Sequence, residues 1–152
     1  MQTDKKEKWS KRPEIALALI SLLLCGLFFP LLITGLAQVI FPNQANGDIV
    51  NLNGQPVGSN LIAQNFSLPI FFHSRDPSQS ASGVDPDITL QNAYSQIPEI
   101  QNATGISSTS LTNLVNQNEE GVYLIFGSPY VNVLRLNLAL IKAYPLIYSA
   151  FQ

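Results

Sequence analysis

From Ile15 to Phe41 the chain reads IALALISLLLCGLFFPLLITGLAQVIF, without one Asp, Glu, Lys or Arg. A helix rises about 1.5 Å per residue, so this run makes about 40 Å, enough to cross a hydrocarbon core of about 30 Å with tilt. No ordinary globular core takes such a segment, and it divides everything else into a before and an after. A secretory signal would be the other use of an N-terminal apolar run. Its apolar region spans only about 7–15 residues, however, and this run is nearly twice as long. The expectation is an uncut transmembrane helix over residues 13–41, with Pro30 kinking it.

The charges agree with that division. Lys5, Lys6, Lys8, Lys11 and Arg12 crowd residues 1–12, a basic tail that the positive-inside rule places in the cytoplasm. Residues 42–152 then lie outside the cell membrane, as one domain carrying Asp48, Asp76, Asp85, Asp87, Glu99, Glu119 and Glu120 against only Arg75, Arg135 and Lys142. A net charge of -2 supplies no basic field for nucleic acid, and that class of partner drops out. Cys25 is the only cysteine, so no internal disulfide staples the outer domain.

Small and polar residues interrupt the apolar run at Ser21, Thr34, Gly35 and Gln38. Such interruptions suit a neighbouring helix better than lipid, and Thr34, Gly35 and Gln38 are read as a partner-binding face. Pro42, Asn43, Gln44, Asn46 and Gly47 follow as turn residues, polar yet uncharged. At the membrane surface their amides suit hydrogen bonds to a partner's loops.

The outer domain reads as α+β. Ile49–Leu52 is an expected strand, Asn53-Gly54 the strongest short hairpin signal, and residues 57–62 the return arm. Residues 69–73 read as a third strand and 76–83 as a loop. A helix is expected after a cap at Asp87 or Thr89, bent or split at Pro98 and ended by Gly105, with a second one starting at Ser107 or Ser108. Residues 122–126 read as a buried strand and 127–130 as a turn. The alternation of Leu134, Leu136, Leu138 and Leu140 then predicts a further strand over 131–140.

Catalytic signals are weak. His73 is the one histidine, no Gly-x-Ser-x-Gly elbow accompanies it, and its position suits a satisfied histidine at a strand end. One imidazole does not make a zinc site. Asp85-Pro86-Asp87, with Gly83 before it, reads as turn and helix-cap chemistry rather than a cation site. No phosphate-cradling Gly-x-x-x-x-Gly-Lys loop is present. Asn65-Phe66-Ser67 and Asn102-Ala103-Thr104 match the N-glycosylation pattern. From the residues alone the chain is a non-catalytic anchored domain, without metal or cofactor of its own, whose helix is built for a helical partner.

Five stretches in order carry a resemblance: LLITGLAQVIFPNQANGDIV (31–50), GSNLIAQNF (58–66), FFHSR (71–75), SGVDPDIT (82–89) and GSPYVNVLRLNLALI (127–141). Together they resemble the C subunit of the Kdp-type potassium-transporting P-type ATPase. Two departures stand out: the passage from Arg75 to Ser82 is shorter than the family's middle section, and Ala63 replaces a family glycine. The resemblance implies an accessory subunit of an ATP-driven potassium importer. Its partners would be a potassium-conducting A subunit, an ATP-hydrolysing B subunit and a small single-helix subunit. It also implies a catalytic chaperone that raises the B subunit's ATP affinity, with Gln64 involved. Because Gln64 lies across the membrane from cellular ATP in this topology, that effect is expected to act by coupling through the membrane subunits. The contrasting expectation is a free-standing anchored surface protein, pilin-like or adhesive, which shares the apolar stem and the small α+β head.

Overall fold

The computed structural model describes residues 4–76, 78, 81–121 and 127–151, with residues 4–11 described by backbone alone. The chain separates into two compact units, residues 1–46 and 47–152.

The first unit is helical. Helix α1 runs Asp4–Leu23, continues through a π-helical turn Leu24–Phe28, and becomes α2, Phe29–Ile40. Its apolar side chains are exposed all round, and Arg12–Ile40 is long and apolar enough to cross a membrane. A π turn lies just before Pro30, where a kink is expected from the sequence. Pro30 has no N–H, and Phe29 N–H reaches back to Leu24 O, five residues away. Phe41 leaves helical geometry, and Pro42 opens a single turn, α3, Pro42–Ala45. That turn falls inside the stretch read as turn residues.

The second unit is α+β. Strands β1 (Ile49–Leu52) and β2 (Gln55–Ser59) form the expected antiparallel hairpin around Asn53-Gly54, with an irregularity between Val50 and Asn51. Strands β3 (Asp87–Thr89) and β4 (Tyr130–Asn132) pair antiparallel as a second small sheet. Helix α4 (Leu90–Thr104) starts on Thr89, whose hydroxyl accepts from Asn92 N–H at 3.2 Å. Asp87 is therefore not the cap. It lies in β3. Pro98 neither splits nor ends α4, and Gly105 closes it in the left-handed conformation, φ 75°, as its position predicts. Helix α5 (Ser108–Gln117) is capped by Ser107. The strand expected over 122–126 lies outside the described residues.

Two strand expectations are overturned. Residues 133–143 form a helix, α6, not a strand. Val133, Leu134, Leu136, Asn137, Leu138, Leu140 and Ile141 are all buried, while Arg135 and Lys142 are exposed. At about 100° per residue those buried positions cover more than half the helix circumference. A helix buried so widely shows an alternating leucine pattern by coincidence, and Arg135, Ala139, Lys142 and Ala143 keep the outer side. Asn132 caps it, accepting from Arg135 N–H at 3.2 Å. The run 69–73 is not a strand either, although Phe71 and Phe72 are buried. Its apolar residues enter the core without a strand neighbour.

The core gathers Phe72, Ile88, Ile100, Leu111, Val115, Val131, Leu136 and Leu140, each almost fully buried. Tyr148 closes it, with its ring 5.3 Å from that of Phe71 and its hydroxyl donating to Ile70 O at 2.7 Å. Burial pushes that phenol up to about 12, so it stays a donor at neutral pH. Leu136→Ala is expected to cost about 2–5 kcal/mol, and Tyr148→Phe about 1 kcal/mol. Denaturant melts of the detergent-solubilised full-length chain test both values.

Candidate functional site

In the second unit the functional candidates depend on how the stretch from Gln64 to Arg75 is held. It has few backbone partners, and side-chain amides replace them. Asn137, fully buried on α6, accepts from Phe72 N–H through Oδ1 and donates to Phe72 O through Nδ2, both at 2.8 Å. One residue on, Gln96 of α4 does the same for His73: its Oε1 accepts from the amide at 2.7 Å and its Nε2 donates to the carbonyl at 3.1 Å. Each amide presents the donor and acceptor that a neighbouring strand would present. An unpaired buried peptide group costs about 1–3 kcal/mol, so this pairing is what permits Phe72 to be buried outside a sheet.

His73 is tied by its ring as well. Nδ1 contacts the Phe66 carbonyl, which can only accept, so this ring nitrogen carries a proton. His73, Ser74, Arg75 and Asp76 line, with Ala63, Gln64, Asn65, Phe66, Gly83 and Val84, a recess of about 520 Å³. Gln64 is half-buried there, and its amide donates to Ile62 O at 2.9 Å. Its stem rests on β2. A methyl on Gly58 would come within 2.9 Å of Gln64 Cδ and 3.1 Å of Leu134 Cδ2. Gly58 is thus the seat of Gln64, a role its place in a hairpin arm does not disclose.

Asp85 makes the expected turn: its Oδ1 accepts from Asp87 N–H at 3.2 Å, and its other oxygen stands 4.0 Å from Arg75. Asp87 Oδ1 accepts from Asn132 Nδ2 at 2.9 Å, and the same amide donates to Asn60 O. Arg135 draws the neighbouring carboxylates together, 2.6 Å from Glu120 and 3.9 Å from Asp48. A guanidinium therefore stands where a cation site might be sought. Among the described residues no group of His, Cys, Asp and Glu has the geometry for a metal ion.

The first unit places the remaining candidates. Thr34 Oγ1 donates to its own helix at Pro30 O, 2.9 Å away. Gln38 and Asn46 exchange reciprocal amide hydrogen bonds at 3.0 and 3.3 Å, and Asn46 also donates to Pro42 O at 2.6 Å. The two amides thus fold the turn Pro42–Ala45 back onto the end of α2. Asn43 and Gln44 remain exposed, and a methyl on Gly35 would meet open space. Gly47 begins the second unit in the left-handed region, φ 89°. Sequence reasoning picked out none of Asn137, Gln96, Asn132 or Gly58. Asn137 within LRLNLALI was the one available signal, a lone amide inside an apolar run.

The family profile described as "K+-transporting ATPase, c chain" matches residues 11–79 and 77–142. The chain belongs to this family. The potassium-transporting ATPase KdpC subunit of Koribacter versatilis is 34% identical over 87% of this chain and 94% of its own length. KdpC subunit 2 of Staphylococcus aureus is 31% identical, covering 86% and 97%. The KdpC subunit of Gloeobacter violaceus is 35% identical, covering 76% and 87%. The alignment with the Koribacter protein runs over 181 positions, more than the 152 residues of the whole chain. That KdpC subunit therefore carries residues missing here, and the profile match changes segment at 77–79, within the passage that the sequence marks as short.

Two outcomes follow from this geometry. Asn137→Ala strands both polar groups of Phe72, and a loss of several kcal/mol is expected in a denaturant melt, with a smaller loss for the half-buried Gln96→Ala. The carboxyl of Asp87 is held above the usual range, first by burial and against the pull of the Asn132 hydrogen bond. A raised carboxyl pKa means that the folded state binds the proton more tightly. Its contribution is best at acid pH and is lost as pH rises through the folded value. Asp87→Asn keeps the acceptor for Asn132 and removes that loss, so the variant is expected to melt no lower than the parent at neutral pH. Melting curves across mildly acidic to neutral pH check the sign.

Proposed function

We propose that this KdpC-family chain is the single-pass, non-catalytic subunit that holds together the potassium-conducting and ATP-hydrolysing subunits of a potassium-importing ATPase. The observation that carries this reading is the family match from residue 11 to residue 142, spanning both the apolar helix and the second unit. The helix supplies the membrane anchor, with the basic tail on the cytoplasmic side and residues 47–152 outside. The exposed amides of Asn43 and Gln44, and the open flank at Gly35, supply contacts to partner subunits without placing charge near a cation path. Family membership leaves the free-standing surface protein without support.

Gln64 acts on nucleotide affinity at a distance. Seated on Gly58 and directed into the recess with His73 and Arg75, it senses the outer domain's fit to its partners, and the partners carry the effect to the ATP site. This account predicts that the isolated chain does not bind ATP. It also predicts that Gln64→Ala and Gly58→Ala both raise the apparent ATP KM of the assembled complex severalfold.

A detergent pull-down of the tagged full-length chain from its native membrane tests the whole reading. A P-type ATPase and a potassium-conducting subunit are expected in comparable amounts. Recovery of the chain alone would overturn it. Asn43→Ala together with Gln44→Ala is expected to lower the recovery of both partners.

A further inference from the structure

The π turn and Pro30 together leave the Cys25 carbonyl without a backbone donor. In an α-helix Cys25 O would accept from Phe29 N–H, but that N–H is bonded to Leu24 O. In π geometry it would accept from residue 30, and Pro30 has no N–H. Both routes are closed. Cys25 lies near the middle of Arg12–Ile40, in a segment whose side chains are exposed all round. In hydrocarbon an unpaired carbonyl costs several kcal/mol, and no water is present to satisfy it.

The chain's own hydroxyls do not help. Ser21 Oγ donates to Ala18 O at 3.0 Å and Thr34 Oγ1 to Pro30 O at 2.9 Å, each bound within its own turn. A second copy of the helix, side by side and parallel, would bring Leu23, Leu24, Cys25, Gly26, Leu27 and Phe28 to this level. None of these carries a strong side-chain donor. We infer that the Cys25 carbonyl is a built-in acceptor for a hydrogen-bond-donating side chain, a hydroxyl, amide or indole, on a transmembrane helix of a different subunit. Pro30 makes the helix incomplete until that donor arrives, so the anchor is specified for a foreign partner rather than for itself. The inference rests on the membrane-spanning subunit reading.

The single cysteine makes the test selective, because 1-¹³C-cysteine labels this carbonyl and no other in the chain. The labelled full-length chain is reconstituted in bilayers, alone and with unlabelled partner subunits, and followed by solid-state NMR. The Cys25 carbonyl resonance is expected to move downfield on assembly. In Pro30→Ala the restored N–H lets either helical register satisfy Cys25 O, so the resonance starts downfield and does not move. The partners' association constant then falls roughly threefold, the size of a typical membrane hydrogen bond. A resonance that is unchanged although the subunits co-purify would overturn this inference and leave the subunit reading standing. Failure to co-purify at all would overturn both.

Discussion

The amide of Asn137 is the contact on which the second unit depends. A helix, α6, lies buried over most of its circumference, and the extended stretch beside it must also be buried at Phe71 and Phe72. Two such elements cannot share a core unless the peptide groups of the extended one are satisfied, because a helix offers no free backbone donors along its side. Asn137 resolves this with two hydrogen bonds of 2.8 Å to Phe72, and Gln96 repeats the arrangement for His73 from α4. The recess beside His73, the seat of Gln64 on Gly58 and the ring contact of His73 all sit along the stretch that these two amides fix.

A second amide pair does comparable work at the end of the apolar helix. Gln38 and Asn46 close the turn that begins at Pro42, so the uncharged stretch PNQANG is folded rather than slack. Amides recur because they offer a donor and an acceptor together without a net charge. An ion pair in the same places would bring desolvation costs that the small unit has little apolar surface to offset. The guanidinium network around Arg135 stays at the exposed side, where such pairs are worth little.

Much of this was legible in the residues, and the misses have physical causes. The apolar helix, the hairpin at Asn53-Gly54, the Gly105 stop and the Ser107 cap followed from local chemistry that tertiary packing does not change. The α6 segment was misread because a helix buried on most sides carries leucines at every spacing, period two included. The stretch 69–73 was misread because burial was taken to imply a strand, when long-range partners at positions 96 and 137 supplied the hydrogen bonds. Gln64 was named from family resemblance, but its support by Gly58 is a contact between residues that no spacing rule joins. For the first unit the mid-helix proline was visible, and the carbonyl it orphans was not.

The anchoring of His73 on one side and the β3–β4 pairing at Asp87 on the other leave the chain between them fastened at both ends. A loop held in this way can change length cheaply, since each doubling adds only about 0.6 kcal/mol of closure entropy. The family match changes segment at residues 77–79, inside that interval. A change of length at this point falls between two fastened ends, so the elements on either side can keep their register while the connection between them grows or shrinks.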